Sequence, residues 1–338
     1  MQYPHRKKSP LQTAALWSIR LILGAAIVLG LYRCISRPPQ IQETDAPVTP
    51  IVAEKTAETQ TEQAQESTAA ARQRREGVYI VLVSGLDDEN GGSDTNLLVV
   101  LDTEREHIHV VSLPRDTLLN TSWKVKKLNN AYYNGGISSV QEQVSRLLGI
   151  PVDFYIVVDL DGFVKLVDAV GGVEFDVPVD MDYDDPYQDL HIHIPKGLQL
   201  LDGESAMKVV RWRQNNDGTE YATRDIGRIG TQQRFLKAAA KQILTPANLG
   251  RLPEMMKIFS TYVDTDLTIS NLIWLGEQVL RIGTESLAFD TLPGDGAGYY
   301  KGTSYYTVDP AATLDLVNAY LNPYNEDLSS ADLDILIP

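Results

Sequence analysis

The chain has 338 residues, 43% of them apolar and 22% charged, with one cysteine and a formal net charge of −15. That apolar fraction supports a packed core and excludes a wholly disordered chain, while a single cysteine excludes a disulfide framework or a four-cysteine zinc site. The acidity argues against a nucleic-acid partner, which wants a basic footprint, but leaves room for an anionic ligand where cations are gathered locally.

The charge is unevenly spread. Residues 1–76 carry ten basic and seven acidic side chains, a net +3, whereas the remaining twenty basic and thirty-eight acidic side chains give −18. Within the basic part, 11–32 is mostly apolar, interrupted by Arg20, and reaches the about 20 residues that a bilayer core requires if that arginine is tolerated. Arg20 can snorkel to the headgroups, and Arg6, Lys7 and Lys8 hold the N-terminus in the cytoplasm. The rival is a cleaved signal peptide, but no small-x-small site follows residue 32, and Arg33 suits no lipoprotein site at Cys34. The expected order is a cytoplasmic tail over 1–10, a retained signal anchor over 11–33 and a linker over 34–76. The linker is rich in Pro, Gln, Glu, Thr and Ala and too polar to fold.

At residue 78 the pattern changes. Short β-branched runs predict strands over 78–86, 96–102, 108–113, 154–159, 173–179 and 286–292. Helical spacing predicts helices over 138–148, 162–170, 203–210, 229–244, 252–263, 269–282 and 310–321. Strands and helices alternate throughout, which predicts one α/β domain over 77–324, its sheet covered by helices, and then a tail over 325–338.

Four clusters place charge or glycine beside element ends. The first is Gly85-Leu86-Asp87 with Gly91-Gly92-Ser93-Asp94-Thr95; it is either a solvated turn or two carboxylates able to hold Mg²⁺ beside a phosphate. The second, Pro114-Arg115-Asp116-Thr117, is either a surface ion pair or a phosphate ligand. The third, Asp168-Ala169-Val170-Gly171-Gly172, reads as architecture, a helix end turned by glycines. The fourth runs through Arg211-Trp212-Arg213, Arg224-Asp225, Arg228, Gln232 and Arg234. Arg228 and Gln232 share a helix face at i and i+4. Guanidinium forks match phosphate oxygens, and Arg211 and Arg213 close an apolar helix rather than a charged one. His107/His109 and His191/His193 are both His-x-His, each pair on one face of a strand, so they are either metal ligands or, with no other ligand near in sequence, surface strand residues; the aspartates between 180 and 189 read as a solvated loop. No nucleophile elbow or Walker loop is present.

In order along the chain, SDT (93–95), PRDT (114–117), KLNNAYYNGG (127–136), VDAVGGV (167–173), LDGESAM (201–207), RWR (211–213), Asp225-x-x-Arg228-x-x-x-Gln232, TDLTISNL (265–272) and TLPG (291–294) resemble the LytR-CpsA-Psr family of bacterial cell-wall ligases. The anchor and linker fit the same pattern. The resemblance implies a central mixed β-sheet flanked by helices around a greasy polyprenyl pocket. It implies a phosphotransferase that moves a glycopolymer from a polyprenyl-pyrophosphate carrier to a peptidoglycan acceptor, on the outer side of the bacterial cell membrane. By motif, Asp87 and Asp94 would hold Mg²⁺, or Mn²⁺ in its place. Arg115, Arg211, Arg213, Asp225, Arg228 and Gln232 would bind the pyrophosphate, with Asp116 and Asp225 orienting the arginines. Asp94, Arg115, Asp116, Arg213 and Arg228 would form the catalytic set. Gly92 and Thr231 stand where many members carry arginine. The alternatives are a polyprenyl-phosphate binder without turnover and a lipid pyrophosphatase.

Overall fold

The computed structural model describes residues 36–41, 72–87, 92–187, 190–222, 225–243, 245, 248 and 252–338. The predicted anchor over 11–33 and most of the linker lie outside them. Among the described residues no helix is long and apolar enough to cross a membrane.

Two compact units result. In the smaller, residues 36–40 lie along 267–278: Ser36 Oγ donates to Glu277 Oε2 at 2.8 Å, and Asn271 Nδ2 donates to the Arg37 carbonyl at 3.1 Å.

In chain order the elements are β1 (Val78–Asp87), β2 (Gly92–Asp102), β3 (His107–Leu113), α1 (Leu128–Leu148), β4 (Phe154–Val158), α2 (Leu160–Ala169), β5 (Val173–Val177), β6 (Met181–Asp185), β7 (Leu190–Ile194) and β8 (Gly197–Leu201). They continue with α3 (Gly203–Arg211), α4 (Asp225–Ile243), α5 (Leu252–Tyr262), β9 (Val263–Thr265), α6 (Ile269–Ile282), β10 (Leu287–Thr291), β11 (Gly294–Tyr300), β12 (Thr303–Val308) and α7 (Pro310–Leu316), which runs into a π-helical turn at Val317–Leu321.

The larger unit is built on a six-stranded sheet in the order β10-β3-β2-β1-β4-β9. It is mixed: β1 runs antiparallel to β2 and parallel to β4, and β10 runs parallel to β3. Both faces of β1 are covered, with Val78, Ile80 and Leu82 fully buried and Tyr79 and Val81 nearly so. That is why the strand reads as a continuous apolar run rather than an alternating one. Val78, Ile80 and Leu82 join Val140, Val144, Leu147 and Leu148 of α1 in one core. A second core packs Val173, Phe175 and Val177 of β5 with Trp212 and Phe235.

Two of the glycine-bearing motifs meet as architecture. Asp168 Oδ1 accepts from the Gly203 amide at 2.8 Å. A Cβ on Gly203 would lie 2.2 Å from the Val164 carbonyl oxygen. Gly171 and Gly172 both take φ of +83°, the left-handed region that only glycine enters without strain. Gly203→Ala should therefore cost about 1–3 kcal/mol of stability through overpacking, read from the denaturant midpoint. Asp202 then caps α3 by accepting from the Ser205 amide at 2.8 Å.

Several boundaries differ from the sequence-based expectation. Helix α1 begins ten residues before the predicted 138, but its helical geometry breaks at Gly135 and Gly136, so the apolar spacing picked out only its second half. Residues 72–76, assigned to the linker, dock on the domain: Arg74 pairs with Asp153 and Arg75 with Asp102, each at 2.5 Å. Residues 325–338, expected as a tail, place Leu328 and Leu333 in the main core and pair Asp334 with Arg146. His109, read as a surface residue, is 1% exposed; it stacks on Tyr320 and its Nε2 lies 2.8 Å from Asp290. Burial holds its imidazole below the usual range in spite of that carboxylate.

Candidate functional site

The antiparallel register of β2 and β3 pairs Asn96 with Leu113. Beyond the end of this ladder, Arg115 lies in the turn that follows β3, near Asp94 of β2. There Arg115 Nη1 donates to Asp94 Oδ1 at 2.8 Å, both side chains about a third exposed. Asp116 does not take the orienting role expected of it toward Arg115: its carboxylate faces Lys127 Nζ at 3.0 Å.

Asp87 ends β1, and its backbone pairs with Gly92, two residues before Asp94. Between them the Ser93 Oγ is buried with no hydrogen-bond partner. The Asp94 carboxylate and the neighbouring Ser93 hydroxyl are hard oxygen donors of the kind that Mg²⁺ takes. A Cβ on Gly92 would stand 3.3 Å from Tyr133 Cε2. The exposed Tyr133 ring of α1 occupies the space that an arginine at 92 would use.

Helix α1 starts at this site, yet its first amides are already engaged. Leu128 and Asn129 donate to the Thr117 and Arg115 carbonyls at 3.1 and 2.9 Å. Positive charge for an anion must therefore come from side chains here rather than from the helix terminus.

The arginine-rich segment lies at the junction of α3 and α4. Trp212, 1% exposed, anchors it between Arg211 and Arg213, packs edge-on against Tyr221 and donates from Nε1 to Asn215 Oδ1 at 3.0 Å. Arg213 is exposed, and Arg228 is half-buried in the first turn of α4, the helix that Asp225 opens. Gln232 Nε2 donates to the Val210 carbonyl at 2.9 Å, so this side chain ties α4 to the end of α3 and positions Arg211-Trp212-Arg213. Thr231 is 1% exposed and receives Arg234 Nη2 at 3.1 Å; the neighbouring arginine thus reaches back to the position lacking one. Burial pushes the Tyr221 phenol up, with the Thr231 hydroxyl and the Arg234 and Arg228 guanidiniums pulling the other way.

One feature was missed in the sequence. A cleft of about 380 Å³ is lined by Trp123, Lys124, Lys126, Tyr300, Lys301 and Tyr305, among others. It adjoins Asp116, because Lys127 lies 5.7 Å from the Tyr305 ring centroid and Tyr306 donates its amide to the Asp116 carbonyl. Lys301 and Gly302 take φ of +48° and +81° at the tip of the β11–β12 hairpin, as a type I′ turn requires. The available signal was Trp-Lys-Val-Lys-Lys at 123–127, a basic and aromatic run in an acidic body.

The β2–β3 end thus carries a carboxylate–arginine pair, and the segment from α3 to α4 carries further arginines. The LytR_cpsA_psr family model matches residues 49–320, and the chain belongs to that family. It is similar to the polyisoprenyl-teichoic acid–peptidoglycan teichoic acid transferase TagV of Bacillus subtilis strain 168, with 30% identity over 73% of this chain and 64% of that protein. The match therefore spans less than two thirds of TagV. Similarity to the enzyme of the same description, TagU, of Bacillus cereus is 32% over 70% of this chain and 76% of that one. The crystal structure of B. subtilis TagV superposes with a TM-score of 0.61 and 27% identity, covering 72% of this chain and 95% of that chain.

Proposed function

We propose that this protein is a cell-wall glycopolymer phosphotransferase that accepts a polyprenyl-pyrophosphate-linked polymer and transfers it to peptidoglycan. The observation that carries the reading is the Arg115–Asp94 pair at the β2–β3 end, set in a body of net charge −18. The names of TagV and TagU support the same chemistry. The cleft of Trp123, Lys124, Lys126 and Lys301 supports an anionic glycan lying beside the reacting phosphates.

In the reaction a glycan hydroxyl oxygen forms a bond to the phosphorus that bears the glycopolymer. The pyrophosphate P–O bond breaks, and polyprenyl phosphate leaves. Arg115, Arg213 and Arg228 offer guanidinium forks to the phosphate oxygens and to the charge that grows on the leaving group. Asp94 holds Arg115 in place, and Gln232 positions Arg213 through the Val210 carbonyl. Asp94 or Asp116 takes the hydroxyl proton. Asp87 and Asp94 would hold a Mg²⁺ ion, which supplies further neutralisation of phosphate charge when bound. The domain would work on the outer side of a bacterial membrane, tethered through residues 11–33.

The test is to incubate the full chain, in detergent, with a polyprenyl-pyrophosphate glycopolymer and a peptidoglycan oligomer, with Mg²⁺ and with chelator. Mg²⁺-dependent formation of a phosphodiester-linked product is expected. Release of polymer phosphate without acceptor would replace this reading by a pyrophosphatase. Lipid binding with neither product would replace it by a carrier-binding protein.

A further inference from the structure

Hairpin β6–β7 carries a group of ligands that the transferase chemistry does not use. Its register pairs Asp182 with His193 and Asp184 with His191. Met181, Ile192 and Ile194 point into the second core. Strand alternation therefore sends both aspartates and both histidines to the opposite, solvent-facing side. There His191 Nδ1 lies 2.5 Å from Asp184 Oδ1, and His193 Nε2 lies 3.4 Å from the same oxygen. Ligand atoms of Asp184, His191 and His193 all fall within 4.8 Å of one another. Tetrahedral ligands on Zn²⁺ stand about 3.3 Å apart for bonds of about 2.0–2.1 Å, so small side-chain rotations close the shell. The other nitrogen of His193, Nδ1, lies 2.7 Å from Asp182 Oδ1. A carboxylate behind a ligating imidazole is what fixes its tautomer and raises its basicity.

The strand that bears these carboxylates is held rigidly on its outer edge. The Asp182 and Asp184 amides donate to Asn215 Oδ1 and Asn216 Oδ1 at 2.7 and 2.6 Å, and Asn216 Nδ2 returns a bond to the Asp184 carbonyl at 2.9 Å. Asn215 also accepts from Trp212 Nε1. The backbone that presents the ligands is thus pinned to the turn that follows Arg213.

We infer that Asp184, His191 and His193, with Asp182 behind His193, form a binding site for a divalent late first-row transition-metal ion of the zinc type. Two imidazoles and one carboxylate suit such an ion rather than Mg²⁺, which separates this site from the Asp87–Asp94 strand ends. Bound metal joins β6 to β7 and stiffens the Asn215–Asn216 support of the arginine turn. The binding does not depend on the transferase reading; only its effect on the turn does.

The experiment is calorimetric titration of the chelator-treated full chain with ZnCl₂ in excess Mg²⁺, together with thermal melting with and without zinc. One saturable zinc per chain and a raised melting temperature are expected. Both should disappear in the His191→Ala/His193→Ala double variant. Asp182→Asn should weaken zinc by about 10–100-fold, as loss of a partner behind a ligand does. All four side chains are exposed, so the zinc-free variants should melt with the zinc-free parent, which checks folding. No saturable zinc in the parent, or equal zinc uptake by the double variant, would overturn the assignment. Glycopolymer transfer is assayed separately, so a failure here leaves the transferase reading standing.

Discussion

Arg213→Ala and Arg228→Ala should each lower the rate of glycopolymer transfer by about 10²–10³, the usual loss for one preorganised charge-stabilising group. The loss should fall on kcat more than on KM, because leaving-group charge is greatest in the transition state. Neither change should unfold the domain. Arg213 is exposed and Arg228 half-buried, whereas the segment is anchored by Trp212 in the core and by Gln232 on the Val210 carbonyl. Arg213→Lys should give an intermediate rate, since an ammonium keeps the charge but not the two-pronged geometry. The measurement is single-turnover transfer from lipid-linked polymer, with melting curves as the folding control. Full rates in both alanine variants would remove the arginine clamp from the mechanism.

Arg74→Ala should cost about 3–5 kcal/mol at neutral pH, the penalty for leaving a buried charge without its partner. Asp153, only 2% exposed, pairs with Arg74 and also accepts from the Ile80 amide at 2.8 Å. Burial raises the Asp153 carboxyl above its usual range, and Arg74 is the chief force pulling it down. A carboxyl raised in the folded state binds its proton more tightly there than in the unfolded chain. Its contribution to stability is therefore present at low pH and is lost as pH rises through the folded value. Without Arg74 that value climbs further. The deficit of the variant should be largest at neutral pH and should shrink on acidification, as Asp153 becomes neutral. Denaturant midpoints of both proteins across the acidic range measure it; a deficit independent of pH would assign the loss to packing instead.

The parts legible in the sequence were those written in apolar pattern. Val78, Ile80 and Leu82 and the runs of β2 and β3 declare buried strands, and the ordered motifs point to the family. Strand β6 stayed hidden because its outward residues are aspartates, and such a stretch resembles a solvated loop until its pairing with the strand that carries His191 and His193 is known. Strand β9 was absorbed into the end of the preceding helix, because three residues carry no period of their own. The pairing of the site was the least legible. Arg115 next to Asp116 suggests a local couple, whereas Arg115 donates to Asp94, twenty-one residues away, which the β2–β3 pairing brings near. The family motif implies a pyrophosphate ligand at Gln232, and the sequence gives no sign that its side-chain amide also reaches the Val210 carbonyl at the end of α3.

The two ends of the domain meet. Arg72 reaches Asp332 at 2.8 Å, the Asn325 amide donates to the Gln73 carbonyl at 3.0 Å, and Arg74 bridges to Tyr324. Leu321, Leu328 and Leu333 lie in the main core but beyond position 320, where the family match stops. A protein trimmed to that match would lose three core leucines and expose their cavity. By contrast, a circular permutant with residue 338 joined to residue 72 by a short link, and opened at an exposed hairpin tip such as Lys301-Gly302, would bury the same core. The packing needs both ends of the domain but is indifferent to which of them is synthesised first.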